Sequence, residues 1–230
     1  MSLAYRPHAD AAQILVEGQR LDQPAFHALY EQMPPPARAE LIGGVVYMPS
    51  PLGSEHGDVS AAVVIWLGHY AASTPGVRAT LNTSTMLGPL SEVQPDASLR
   101  ILEQFGGQTR TEPRYLVGAP ELVVEVARSS RYIDLGPKLW DYERGGVREY
   151  VVVALDPYQV FWFIRGASEL EPLEPGADGF FRSAVFPGLW LDPKALGEGN
   201  LAALRAAVDL GLTTPEHQAL AARLRQAASQ

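Results

Sequence analysis

In the stretch PELVVEVARSS, Pro120 to Ser130, a glutamate stands where the chain otherwise reads as a buried strand. Side chains alternate along a strand, so Val123, Glu125 and Ala127 share one face while Leu122, Val124 and Val126 share the other. Both faces are largely apolar, which predicts a central strand with Glu125 as its exception. An ionised carboxylate taken out of water is costly unless a cation meets it. Two cations are available. Upstream, VQPDAS puts Asp96 directly after Pro95. An aspartate on one strand and a glutamate on the next can converge on a divalent ion, and Mg2+ takes one or two carboxylates while keeping water or phosphate oxygens. Downstream, Lys138 follows Asp134 by one helical turn, on a segment able to fold back over the strand's end. The two proposals are compatible. Blander readings compete with them: Asp96 as a turn residue bonding its own backbone, Glu125 in a buried ion pair with Arg128 or Arg131, and Lys138 as an i,i+4 partner of Asp134 on a solvated face. Lys138 and Lys194 are the only lysines, the other basic residues being arginines.

The elements that must position these groups can be read from spacing. Asp22 to Met33 predicts a first helix, with Asp22 as N-cap and the run Pro34 to Pro36 as its stop. AELIGGVVYMP gives two short apolar arms around Gly43 and Gly44, a hairpin signal. Ser54 to Ser73 has apolar residues at helical spacing and reads as a long core helix. VRATLNTSTML and EVQPDASLRI read as a strand pair joined through Gly88 and Pro89, followed by an exposed loop over EQFGGQTRTEPRYLVG. After the Glu125 strand, Asp134 is placed to cap a helix that holds Pro137 in its first turn and ends at Gly145 and Gly146. REYVVVALDPYQVFWFIR reads as two strands about Asp156 and Pro157. Two helices, NLAALRAAVDL and TPEHQALAARLRQAAS, form a C-terminal extension over about 200–228. The order predicts an α/β fold, a mixed sheet with helices on its faces, in one domain over 1–230.

Composition narrows the function. Of 230 residues, 47% are hydrophobic and 19% charged, as in ordinary globular proteins. The absence of cysteine excludes disulfides, thiolate metal sites and a cysteine nucleophile. The net charge of -8 argues against tight binding of nucleic acid by charge alone, but leaves room for a nuclease whose metal site needs acids. The apolar run Ala61 to Ala72 is too short to span a bilayer. MSLAYRPHADAAQ lacks a basic segment leading into an apolar one, so a cytoplasmic protein without membrane attachment is expected. The aromatics Phe161, Trp162 and Phe163 suit a core or a subunit contact, the latter pointing to a homodimer or higher homo-oligomer.

ELIGGVVYMPSP, the QPD triplet, PELVVEVARSSR and DLGPKLWDYERGGVREYVVV, in that order, resemble the Uma-type group of restriction-endonuclease-like proteins in the PD-(D/E)xK superfamily. The resemblance runs over roughly Ala39 to Ile164. It implies a restriction-endonuclease-like mixed central sheet flanked by helices, and a Mg2+-dependent (or Mn2+-dependent) phosphodiesterase site acting on nucleic acid, DNA before RNA. It makes Asp96 and Glu125 metal ligands, adds Glu40 as an assisting acid, and gives Lys138 the catalytic charge, since the usual lysine position two residues after Glu125 holds Ala127. Gly43 stands where relatives often have an acid. His56, at the start of the long helix, is a candidate phosphate contact or a neighbour of the metal, against the plainer reading of an exposed helix-start residue, and Glu40 against that of a strand-edge charge. Two other functions stay open: a binding or assembly protein that keeps the fold without catalysis, suggested by Ala127 and the acidic charge, and a metal-free acid/base hydrolase using Asp96 and Glu125.

Overall fold

A computed structural model of the chain describes residues 14–34, 38–49 and 53–227. In chain order it runs α1 (Gln23–Tyr30), β1 (Glu40–Ile42), β2 (Val45–Tyr47), α2 (Ser54–Ser73), β3 (Val77–Leu81), β4 (Thr85–Gly88), β5 (Ser91–Val93) and β6 (Ala97–Ile101). There follow β7 (Arg110–Thr111), β8 (Leu116–Val117), β9 (Leu122–Ala127), α3 (Arg131–Asp134), α4 (Pro137–Gly145), β10 (Glu149–Leu155) and β11 (Tyr158–Arg165). The chain closes with β12 (Leu170–Pro172), β13 (Phe181–Arg182), β14 (Trp190–Leu191), α5 (Pro193–Gly197), α6 (Leu201–Leu212) and α7 (Pro215–Ala227).

The central sheet has the order β12-β11-β10-β9-β6-β3, with β9 and β10 parallel and the other neighbours antiparallel. A parallel pair needs a crossover, and α3 with α4 supplies it. The alternation of LVVEVA divides two cores. Leu122, Val124 and Val126 pack with Val63, Trp66, Leu67 and Tyr70 of α2. Val123 and Ala127 pack with Tyr142, Tyr150 and Val152 on the opposite face. The three consecutive aromatics follow the same rule: Trp162 is buried edge-to-face against Trp66, while Phe161 and Phe163 lie on the other core. All three rings therefore find cover within the chain.

A second sheet, β2-β1-β5-β4-β8-β7, corrects the expected single strand pair. VRATLNTSTML and EVQPDASLRI each divide in two. β3 pairs with β6 in the central sheet, and β4 with β5 in the second. The break falls at Asn82, whose φ of 46° is a left-handed conformation that asparagine tolerates, and opposite it at Pro95, which has no N–H for a ladder. Asp96 sits at this joint. The expected exposed loop is also more ordered than its composition suggests, since it supplies β7 and β8, and β8 runs parallel to β4. At the hairpin, Gly43 and Gly44 have φ of 58° and 79°, as a two-residue type I′ turn requires.

Helix ends follow local chemistry. Asp22 Oδ1 accepts the Ala25 N–H at 2.9 Å and caps α1, which stops at Tyr30, short of Met33. Part of the proline run, and the N-terminal stretch through Gln13, lie outside the described residues. α2 covers the expected span, with Gly53 at its cap. Asp134 does not cap α4; it closes the extra turn α3, turns inward and is buried, and Gly136 takes the cap position. Among the described residues no helix is long and apolar enough to cross a membrane.

Candidate active site

The ladder between β6 and β9 pairs Ala97 with Val124 and Ser98 with Val123. One step further along, Asp96 comes level with Glu125. The two residues interlock: the Asp96 N–H points to Glu125 Oε2 at 3.4 Å, and the Val126 N–H donates to Asp96 Oδ2 at 2.8 Å. Asp96 thus bonds a neighbouring strand and not its own turn.

Lys138 comes from the first turn of α4. Pro137 starts this helix, and Lys138, Asp141 and Tyr142 form its buried stripe at i, i+3 and i+4. Lys138 Nζ lies 2.9 Å from Glu125 Oε1, 3.0 Å from Glu40 Oε2 and 3.8 Å from Asp134 Oδ1. The Tyr142 hydroxyl donates to the same Glu125 Oε1 at 2.6 Å. Glu40, on β1, accepts the Gln94 N–H through Oε1 at 2.7 Å, so the second sheet is tied to the cluster. The arginines that competed for Glu125 are engaged elsewhere. Arg128 pairs with Glu55 at 3.0 Å, and Arg131 reaches Gln159 and lies over the Phe161 ring.

His56 is buried, with Nε2 3.3 Å from Asp96 Oδ2 and Nδ1 3.2 Å from Ser60 Oγ. It holds Asp96 from the α2 side. All five residues singled out in the sequence therefore meet at one end of the central sheet. Two more belong with them that spacing alone did not single out as site members. Tyr142 lies one turn after Lys138, and Asp134, first read as a cap, lies one turn before it; a helical stripe drawn through Lys138 finds both.

The electrostatics follow from three acids around one lysine, with a fourth, Asp96, against Glu125. Burial pushes the Glu125 carboxyl well above its ordinary range; Lys138 opposes this, while Asp96, Asp134 and Glu40 add to it. Burial likewise raises Asp134, against Lys138 and Ser130. Burial pulls the Lys138 ammonium down, but Glu125, Glu40 and Asp134 outweigh it and hold it well above the usual lysine range. Tyr142 is raised by burial and then by Glu125 and Glu40, so its phenol stays a donor. Glu125 and Asp134 therefore keep their protons to higher pH than separate carboxylates would. Asp134 Oδ2 is buried with no hydrogen-bond partner.

These donors fit a hard divalent ion of modest protein ligation. Asp96 commits Oδ2 to Val126 and His56 and leaves Oδ1 without a bond among the described residues; Glu125 Oε2 has only the long contact from Asp96. Two such carboxylates match Mg2+ with its retained waters. Glu40, expected as a further ligand, has both oxygens engaged by Gln94 and Lys138. Among the described residues no group of three or more His, Asp or Glu is arranged to hold an ion unaided. Asp96 is the most open member, its side chain 18% exposed against 5% for Glu125. A separate groove of about 650 Å³ between α2 and α5, lined by residues including Glu55, Asp58, Tyr158 and Lys194, includes none of the cluster.

The fold has a solved counterpart in the crystal structure of "a putative nuclease belonging to DUF820" from Anabaena variabilis. That protein is 20% identical, with a TM-score of 0.56 over 75% of this chain and 97% of that one. No curated protein matches the sequence. The architecture of a mixed sheet flanked by helices is that of the restriction-endonuclease-like fold. The profile of the Uma2 family, described as "Putative restriction endonuclease", matches residues 24–194, a span that takes in every residue of the cluster. By that match, over most of its length, the chain belongs to the Uma2 family.

Proposed function

We propose that the protein is a divalent-metal-dependent endonuclease that hydrolyses phosphodiester bonds in DNA. The observation that carries this reading is the crowding of Asp96 and Glu125 at the ends of adjacent strands, with the Lys138 amine against Glu125. The family description and the nuclease named in the Anabaena structure point the same way.

Asp96 and Glu125 are the residues that would hold Mg2+ or Mn2+. When bound, the ion supplies Lewis-acid polarisation of the phosphate and a water of lowered pKa. The chain's own groups prepare for this. Val126 and His56 fix one oxygen of Asp96 and keep the other available, so that His56 acts as a positioning residue beside the metal site, the second of the two roles open to it. Tyr142 fixes Oε1 of Glu125. Lys138 stays charged and stabilises the negative charge that builds on the phosphoryl oxygens, the task that Ala127 cannot perform from β9. Glu40 holds Lys138 in place. Where both strands of a duplex are cut, two such centres are needed, and a homodimer would supply them, which sedimentation in the presence of DNA checks.

Plasmid cleavage with Mg2+ or Mn2+ tests the reading. Asp96→Ala and Glu125→Ala are expected to reduce cleavage to background, as is a chelator. Activity that survives both substitutions defeats it. One observation favours a non-catalytic binding protein instead: both oxygens of Glu40 and one of Glu125 are already engaged by protein donors. That reading takes over if calorimetry finds no uptake of Mg2+ or Mn2+ by a folded protein.

A further inference from the structure

α3 and α4 place their residues in the reverse of the usual arrangement. Acids commonly face water and large rings commonly face the core. Here Asp134 and Asp141 are buried, while Tyr132 is 74% and Trp140 61% exposed. Between Arg128 and Arg148 the exposed residues are Arg128, Ser129, Tyr132, Trp140, Arg144 and Arg148. The remaining acid of that span, Glu143, is half-buried and accepts the Leu170 N–H. In a chain of net charge -8 this stretch thus exposes arginines and aromatic rings and no acid of its own; the exposed acid that it meets is Glu55 of α2, paired with Arg128. The arginines' present partners are weak competitors. Arg128 meets the half-exposed Glu55 at 3.0 Å, Arg144 reaches Asp141 at 3.1 Å with most of its own side chain in water, and Arg148 bonds the neutral Gln108.

We propose that the outer face of α3 and α4 is a platform for single-stranded DNA, with bases stacked on Tyr132 and Trp140 and phosphates met by Arg144, one turn after Trp140. Any base offers a ring face to an exposed aromatic, and arginine serves both phosphate and ring, so this composition binds a strand without reading its sequence. A duplex hides its base faces in its own stack, so the rings select unpaired nucleotides. The same short helix turns Lys138 inward to the acid cluster and Trp140 outward, so a strand held on the platform lies one helix away from the proposed centre. This rests on the nuclease reading for the choice of nucleic acid as ligand, and it adds the form that the protein prefers.

The test is equilibrium binding, in a chelator so that no cleavage occurs, of a labelled oligothymidylate about 12 nucleotides long to the full chain. Tyr132→Ala and Trp140→Ala are each expected to weaken binding about fivefold or more. Arg144→Ala should weaken it and reduce the slope of log affinity against log salt by about 0.7. A blunt duplex of equal length should bind less tightly than the single strand. Circular dichroism confirms that each exposed-site variant is folded. Unchanged affinity in Trp140→Ala, or tighter binding of the duplex, overturns the proposal. So does a wild-type dimer that Trp140→Ala converts to monomer, which assigns the face to a second copy. Cleavage of plasmid with no effect of Trp140→Ala on oligothymidylate defeats the platform alone. Trp140-dependent binding without any cleavage defeats the nuclease reading alone.

Discussion

Two glutamates are buried in neighbouring parallel strands, Glu125 in β9 and Glu149 in β10, and the chain satisfies them in opposite ways. Glu149 accepts the Ser183 hydroxyl at 2.7 Å and the N–H groups of Ala184 at 2.7 Å and Val185 at 3.0 Å. Every one of those donors is neutral, and together they pin the loop before β14 to the sheet. Glu121, at the same end of the sheet, does likewise with the N–H groups of Ile101 and Gln108. Glu125 instead shares one ammonium with Glu40 and Asp134 and lies against Asp96. Burial of a carboxylate is therefore no mark of a reactive centre; the manner of its compensation is. Neutral donors complete a structural acid. Several acids around one cation leave negative charge that a further cation can balance, and they do so at the carboxyl end of β9, where open α/β sheets bind their ligands.

Lys138→Met breaks the comparison most severely. It removes the ammonium that Glu125, Glu40 and Asp134 share, and unfolding in urea should show a loss of about 3–5 kcal/mol; a loss under about 1 kcal/mol means the acids do not depend on it. Glu149→Ala comes next, at about 2 kcal/mol, because it strands one hydroxyl and two N–H groups. Cleavage per folded molecule should be unchanged, and a large fall would make Glu149 part of the chemistry. Glu125→Gln carries the opposite sign. Burial and then the neighbouring acids hold the Glu125 carboxyl above its unfolded range, so its stability is full below the unfolded pKa of about 4.3 and is lost as pH rises through the folded value. At pH 7 the metal-free Gln variant should be more stable by about 1 kcal/mol, with a flatter profile of stability against pH. A less stable variant would place Glu125 beside Glu149 as a structural acid. The smallest effect concerns His56, which its hydrogen bond to Asp96 raises against the pull of burial. The stability it contributes is present below about pH 6.5 and fades as pH rises through the folded value. Asp96→Asn should move the His56 midpoint downward in an NMR titration, and an unmoved midpoint would show that Asp96 does not govern it.

The sequence showed whatever depended on local period. The apolar spacing of Ser54 to Ser73 gave α2 its limits, the alternation of LVVEVA gave β9 its two faces, and Gly43 with Gly44 gave the hairpin. Glu125 was legible as a residue in need of a partner because its neighbours left no doubt about burial. The division of two long strands between two sheets was not, since alternation continues through the break and only Asn82 and Pro95 mark it. Tyr142 carried no separate signal, because a tyrosine on the inner stripe of a helix ordinarily belongs to the core. Glu149 stands at the start of a strand, where a charge is commonly solvated, and its donors come from Ser183 to Val185, far along the chain. Such contacts depend on tertiary docking, which no local spacing encodes.

The order of the cluster along the chain has a consequence for synthesis. Glu40, Asp96 and Glu125 leave the ribosome first, and Lys138 with Tyr142 follows. A product cut short before Lys138 carries the acids without their ammonium, a set that is too costly to bury. The acid cluster can therefore close only after α4 has been made, which makes its burial a late event in the growth of the chain.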